Sequence, residues 1–107
     1  MDILTVLEQV VLTAIIVLKG EAYGVSLSRK TRELSGKTIM YGSLYNLLDQ
    51  LHKKGYVTKR LKTPSPDEGG HERILYTVTP AGLKALKEAQ SLQTVLWDSL
   101  PAYARKN

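Results

Sequence analysis

Apolar residues near the N-terminus recur at helical spacing. Leu4, Leu7, Val11, Ala14, Ile15 and Leu18 predict a first helix over 5–18 with these side chains inward. Ile3, Val6, Val10 and Val17 form a second apolar stripe on another side. A helix that is apolar nearly all round is covered on both sides. One domain of 107 residues can hardly supply both covers, so the second stripe is expected to meet another subunit. After a turn at Lys19-Gly20-Glu21, a second helix is predicted over 23–35. Val25, Leu27, Thr31 and Leu34 should face inward and Arg29, Lys30 and Arg32 outward, with Gly36 just past the end. A third helix, 38–54, has the sharpest pattern: Leu44, Leu47, Leu48 and Leu51 make one narrow stripe. Gly42, Asn46, Asp49 and Lys53 lie opposite it, flanked by Ser43 and Gln50 on one side and Tyr45 on the other. Gly55 ends the helix.

The period then changes. Residues 56–61 and 74–78 read as two strands around a polar loop, 62–73, that contains Pro64, Pro66, Gly69 and Gly70. The loop is long for a hairpin. Thr79 caps a last helix and Pro80 suits its first position. Leu86, Ala89, Gln93, Leu96 and Leu100 alternate at spacings of three and four, as in a short coiled-coil seam, before Pro101. Residues 102–107 show no pattern. The expected fold is mainly α with a small β-hairpin: a winged helix-turn-helix followed by a C-terminal dimerisation helix. The expected divisions are a DNA-binding domain at 1–79, the dimerisation helix at 80–101 and a tail at 102–107.

Charge sharpens this picture. The net charge is +5, and residues 29–73 hold ten Lys and Arg against five Asp and Glu, while the rest of the chain balances. A basic segment on an otherwise neutral protein points to a polyanion, most often nucleic acid, although a solvated uneven surface has the same composition. The chain has no cysteine, which excludes disulfides and thiolate metal sites and fits a reducing cytoplasm. The apolar run at 10–18 is shorter than the ~20 residues of a membrane span and has no signal-peptide flanks. The protein is expected to be cytoplasmic, without a membrane partner.

A helix can read the major groove when one face packs on its own domain and the other offers hydrogen-bonding groups. The third helix meets that description. Ser43, Asn46 and Gln50 supply donors and acceptors, and Asn and Gln are the side chains that pair bidentately with adenine. Tyr41 and Tyr45 are suited to phosphates or thymine methyls. Lys37, Thr38 and Lys53 are further candidate contacts. On the hairpin, the candidates are Gly70, His71 and Arg73, beside Lys59, Arg60 and Lys62, with the glycines allowing close backbone approach to phosphates. Asp67 and Glu68 at the tip argue the other way, for a plain solvated loop.

Enzyme signatures fail on inspection. Gly36-Lys37-Thr38 looks like the end of a phosphate-binding loop, but position 31 is Thr where that loop requires Gly. His52 and His71 are the only histidines and have no cysteine or carboxylate cluster near them in sequence. No nucleophile, base and acid can be proposed from spacing, and no metal or other cofactor is expected.

Several segments together resemble the PadR family of bacterial regulators. They are Glu21-Ala22-Tyr23-Gly24-Val25, Gly42-Ser43-Leu44-Tyr45, and the run from Leu48 through Gly55-Tyr56-Val57. Gly69-Gly70 with Arg73 and Tyr76, then Thr79-Pro80-Ala81-Gly82, continue the series, over about residues 5–83. The resemblance implies a winged-helix domain, a C-terminal dimerisation helix, and repression of nearby genes relieved by small molecules. It carries DNA contact over to Ser43, Tyr45, Asn46, Gly70 and Arg73, and implies the compact subgroup with one short C-terminal helix. Family wings are usually richer in Arg and Lys after the glycine pair, where this chain has His71-Glu72 and Ile74-Leu75.

The sequence therefore predicts a homodimeric transcriptional regulator of double-stranded DNA, acting as a ligand-responsive repressor. The alternatives are a winged helix serving only as a protein-protein module and a small enzyme or ligand carrier. The expected dimer interface is Val6, Val10, Leu86, Ala89, Gln93, Leu96 and Leu100. Trp97, the only tryptophan, follows the seam residue Leu96 and is either a packing residue or a stacking surface for a small aromatic inducer.

Overall fold

The computed structural model describes residues 2–65, 67 and 69–106; the predicted roles of Pro66 and Glu68, and the last residue of the tail, lie outside them. The elements follow in the order α1 (Val6–Val17), α2 (Gly24–Ser35), α3 (Tyr41–Lys53), β1 (Val57–Lys62), β2 (Arg73–Val78), α4 (Pro80–Asp98) and α5 (Ala102–Arg105). The architecture is a mainly helical winged helix-turn-helix with a C-terminal helix, as the pattern predicts.

Local chemistry sets the helix ends. The Glu8 N–H donates to Thr5 Oγ1 at 3.1 Å and the Thr5 N–H to Glu8 Oε1 at 2.8 Å, a reciprocal cap that starts α1. Gly36 closes α2 with φ 75°, in the left-handed region that costs glycine least. Helix α3 begins at Tyr41, three residues after the predicted start. Met40 is extended and Ile39 is buried, so 37–40 form a connector pinned by Ile39. Thr79 caps α4 by accepting the Gly82 N–H, and its own hydroxyl donates to the Gly55 carbonyl at 2.7 Å. The end of α3 and the start of α4 are thereby joined.

The strands pair antiparallel, Val57 opposite Val78 through Lys62 opposite Arg73. The Tyr76 N–H also donates to the Ala22 carbonyl at 2.9 Å, which seats the hairpin beside the segment leading into α2.

The core joins Leu4, Val11, Leu12, Ala14 and Ile15 to Leu27, Leu44, Leu48, Leu51, Val57, Tyr76, Ala85 and Ala89. Three inward assignments are corrected. Leu7, Val25 and Leu34 are each about half exposed. The buried residues of α1 are Glu8, Val11, Leu12, Ala14 and Ile15, and with Leu4 just before the helix they make one face that includes Glu8. Counting only apolar letters skips Glu8 and takes in Leu7, which is half exposed. Leu34, at the far end of α2, lies instead beside Val6 and Val10 along the outer side of α1.

The C-terminal segment also departs from expectation. The residues after Pro101 form the single turn α5, with no buried residue. In α4 only the first half packs on the domain, through Gly82, Ala85 and Ala89. The chain is accordingly elongated, 60 × 28 × 23 Å.

Candidate nucleic-acid interface

Helix α3 has two distinct sides. Leu44, Leu48 and Leu51 are buried and Leu47 is half-buried, while Tyr41, Gly42, Ser43, Tyr45, Asn46, Asp49, Gln50 and Lys53 are exposed. Lys37 and Thr38 are exposed on the connector before it. The Tyr41 and Tyr45 rings stack with centroids 6.4 Å apart and planes 24° from parallel. Tyr45 also leans back on α2, its hydroxyl filling the space beside Gly24. Ser43, Asn46 and Gln50 thus share an outward surface flanked by a stacked aromatic pair. Lys53 is held toward Asp49 at 3.1 Å, an exposed i,i+4 pair that competes weakly with any external anion.

The hairpin flanks this surface. Gly69 and Gly70 have φ of 65° and 91°, so the backbone turns there through conformations that glycine accommodates. Lys62, Pro64, Gly69, Gly70, His71 and Arg73 line a hollow at its outer end. The guanidinium of Arg73 lies over the Tyr23 ring, 4.3 Å from its centroid. Between the hairpin, the start of α2 and Tyr45 runs an open groove of about 580 Å³. Of the predicted contacts, Gly70, His71 and Arg73 of the hairpin and Tyr45 of α3 border this groove.

Lys54 has a different role from the other basic residues of the middle segment. Its Nζ lies 2.8 Å from Glu8 Oε2 and 3.2 Å from Asp2 Oδ2. The Tyr56 hydroxyl donates to the same Asp2 carboxylate at 3.2 Å. Burial pushes the Glu8 carboxyl up, but the Lys54 ammonium and the Thr5 N–H outweigh it and hold it below the usual carboxylate range. The same contact with Glu8, reinforced by Asp2, raises Lys54 above the ordinary lysine value. This cluster fixes the N-terminal segment and α1 to the end of α3. Sequence reasoning missed Glu8, although the spacing Thr5-x-x-Glu8 is that of a capping box.

The remaining predicted site residues lie on or near α4. Ala89 is in the domain's own core and Leu86 packs against that core. Gln93 and Leu96 on the distal part, and Leu100 just beyond it, are exposed in the single chain, as is Val6 on α1; Val10 is half-buried. Trp97 is 53% exposed and borders a shallow hollow with Gln90, Gln93, Thr94 and Asp98. Among the described residues, no group of three or more His, Cys, Asp or Glu is placed to hold a metal ion. No helix among them is long and apolar enough to cross a membrane.

A three-helix unit with a packed, polar-faced third helix and an adjoining hairpin defines the winged helix-turn-helix class of DNA-binding proteins. Residues 11–88 match the model of the transcriptional regulator PadR-like family. The chain belongs to that family and is a DNA-binding transcription regulator. A Streptococcus transcriptional regulator is 31% identical, with 85% of this chain and 84% of that one covered and a TM-score of 0.67. A PadR-like transcriptional regulator from Bacillus cereus strain ATCC 14579 is 27% identical over 95% of this chain and 94% of its own, with a TM-score of 0.72. A PadR family transcription regulator from Clostridium difficile R20291 shares the fold at 17% identity, with 86% of this chain and 91% of that one covered and a TM-score of 0.72. A comparison with curated proteins found no match.

Proposed function

We propose that this protein is a homodimeric repressor that reads an operator with α3 and steadies itself on the sugar-phosphate backbone with the hairpin. The observation that carries the reading is the division of α3 into a buried leucine side and an outward side bearing Ser43, Asn46 and Gln50. Tyr41, Tyr45, Lys37, Thr38 and Lys53 border that side, and Gly70, His71 and Arg73 continue it onto the hairpin. The decisive experiment is binding to DNA upstream of the protein's own gene against random DNA of equal length, across a salt series. Preference for the upstream DNA supports the reading. Equal binding to both overturns it and favours a winged helix that serves as a protein-protein module.

Dimerisation rests on two uncovered apolar surfaces. The distal part of α4 exposes Val95, Leu96 and Trp97, with Leu100 just beyond it, and the outer side of α1 exposes Val6 beside Leu34, with Leu7 and the preceding Ile3 also exposed. On this reading residues 1–79 bind DNA and 80–101 join the two copies, with Gln93, Leu96 and Leu100 at the seam and Val6 and Val10 beside it. Trp97 would offer a flat aromatic inducer a stacking face near the join. Titrating planar aromatic compounds against Trp97 fluorescence, and then against operator affinity, tests this. Quenching with no change in operator affinity overturns the sensor role.

A further inference from the structure

We propose that Tyr23 is a positioning residue for DNA binding: its ring holds the Arg73 guanidinium in the groove between hairpin and α2, where it meets one backbone phosphate. This rests on the DNA-binding reading and adds to it a residue outside the two elements that touch DNA.

Three observations converge on the pair. First, the Arg73 guanidinium lies 4.3 Å from the Tyr23 centroid, well within the ~6 Å of an effective cation–π contact. Second, Arg73 makes no ion pair with a described carboxylate, and its cross-strand partner is Lys62. Two like charges directly opposite are unfavourable in the free protein, and an anion between them reverses the sign. His71 lies in the same groove; Glu72 is its one carboxylate among the described residues. Third, the groove is walled on one side by Tyr45 of α3 and on the other by the hairpin. A duplex resting on both elements passes over it.

An exposed arginine ordinarily loses much rotamer freedom when it grips a ligand. A guanidinium already held over an aromatic ring has lost part of that freedom before the ligand arrives, and its planar fork matches two phosphate oxygens. Tyr23 therefore acts through Arg73, without touching DNA.

The test is a double-mutant cycle with wild type, Tyr23→Leu, Arg73→Gln and the double variant, plus Tyr23→Phe. Affinity for the preferred DNA is read over a salt series. Arg73→Gln should weaken binding and flatten the log–log salt slope by roughly 0.9, the loss of one phosphate contact. Tyr23→Leu should weaken binding roughly two- to fivefold, the scale of an exposed cation–π contact. Tyr23→Phe should bind as wild type, and Tyr23→Leu should add nothing once Arg73 is Gln. Equal losses from Tyr23→Leu in both backgrounds, or none in either, overturn the proposal while leaving DNA binding intact. A wild type with no DNA preference removes both. If Tyr23→Leu does not fold, NMR of the wild type decides: ring-shifted Arg73 δ-methylene protons are expected, and unshifted ones overturn it.

Discussion

The hydroxyl of Tyr45 on α3 occupies the space that a β-carbon on Gly24 of α2 would need. Gly24 is helical with ordinary φ, so its lack of a side chain serves contact and not backbone conformation. The two helices approach here through the hydroxyl end of an aromatic side chain whose ring stacks on Tyr41.

Gly24→Ala should therefore dislodge Tyr45. Because the clash is with the end of a flexible, half-exposed side chain, the fold should survive, with a stability loss of about 1 kcal/mol by urea unfolding. DNA affinity should fall together with the displaced ring. Tyr45→Ala in the same chain should recover the stability and leave the affinity low. Equal stability losses from Gly24→Ala with and without Tyr45 would show that the contact is not the cause.

The Glu8–Lys54 pair gives stability a definite pH dependence. The depressed Glu8 carboxyl contributes fully above the ordinary carboxylate value and loses that contribution as pH falls through its lowered value. The raised Lys54 contributes fully below the ordinary lysine value and loses it as pH climbs through its raised value. Lys54→Met should cost roughly 1–3 kcal/mol near neutrality, because Glu8 is buried and would lack its charged partner. Acidification should then recover part of the loss, since a protonated Glu8 is cheaper to bury. Thermal melts of both proteins between pH 3 and 8 (an assay range of roughly five units around the carboxylate titration) check the sign.

How much of this was legible in the sequence depends on the residue. The stripe on α3 was, because its opposite face is polar and only one rotation satisfies it. The buried side of α1 was legible only in part: Leu4, Val11, Ala14 and Ile15 are buried as predicted, but Leu7 is not, and Leu12 and Glu8 were missed, because apolar letters surround that helix and a glutamate lies on its inner face. Capping chemistry wins there over hydrophobic counting: Glu8 is buried with its hydrogen bonds and counter-ion supplied by Thr5 and Lys54. The outward candidates Ser43, Asn46 and Gln50 were legible as a group. The Tyr23–Arg73 contact was not, since 50 positions of sequence separate its members and only the hairpin's docking beside Ala22 brings them together.

On α3 itself, Asn46→Ala should cost roughly 1–3 kcal/mol of operator binding and relax preference at one base pair. Lys53→Ala should weaken all sequences about equally, as the loss of a backbone phosphate contact would. Binding measured on a library of single-base operator variants separates the two patterns. A uniform loss for Asn46→Ala would move that residue from base reading to backbone contact.

For the dimer, Leu96→Asp is the informative substitution. Leu96 is half exposed in the single chain, so the charge should leave the folded domain intact. In a dimer it would be buried without a partner and should split the copies, lowering operator affinity as well. Sedimentation of wild type and variant at micromolar concentration reads the outcome directly, and a wild-type monomer would end the dimer proposal. With two copies on a two-fold axis, the operator should be near-palindromic with half-sites ~10 or ~20 base pairs apart.

The bond from the Thr79 hydroxyl to the Gly55 carbonyl places the root of α4 against the end of the helix proposed to read DNA. Helix α4 has 19 residues and is therefore a lever roughly 28 Å long at 1.5 Å per residue. Pivoting it by about 10° at that root swings its tip by roughly 5 Å, more than one base-pair step of DNA. In the proposed dimer, the spacing at which two copies fit a duplex would thus be geared to the packing around Thr79 and Gly82. A change there would retune which operators fit without altering a single group that faces the bases.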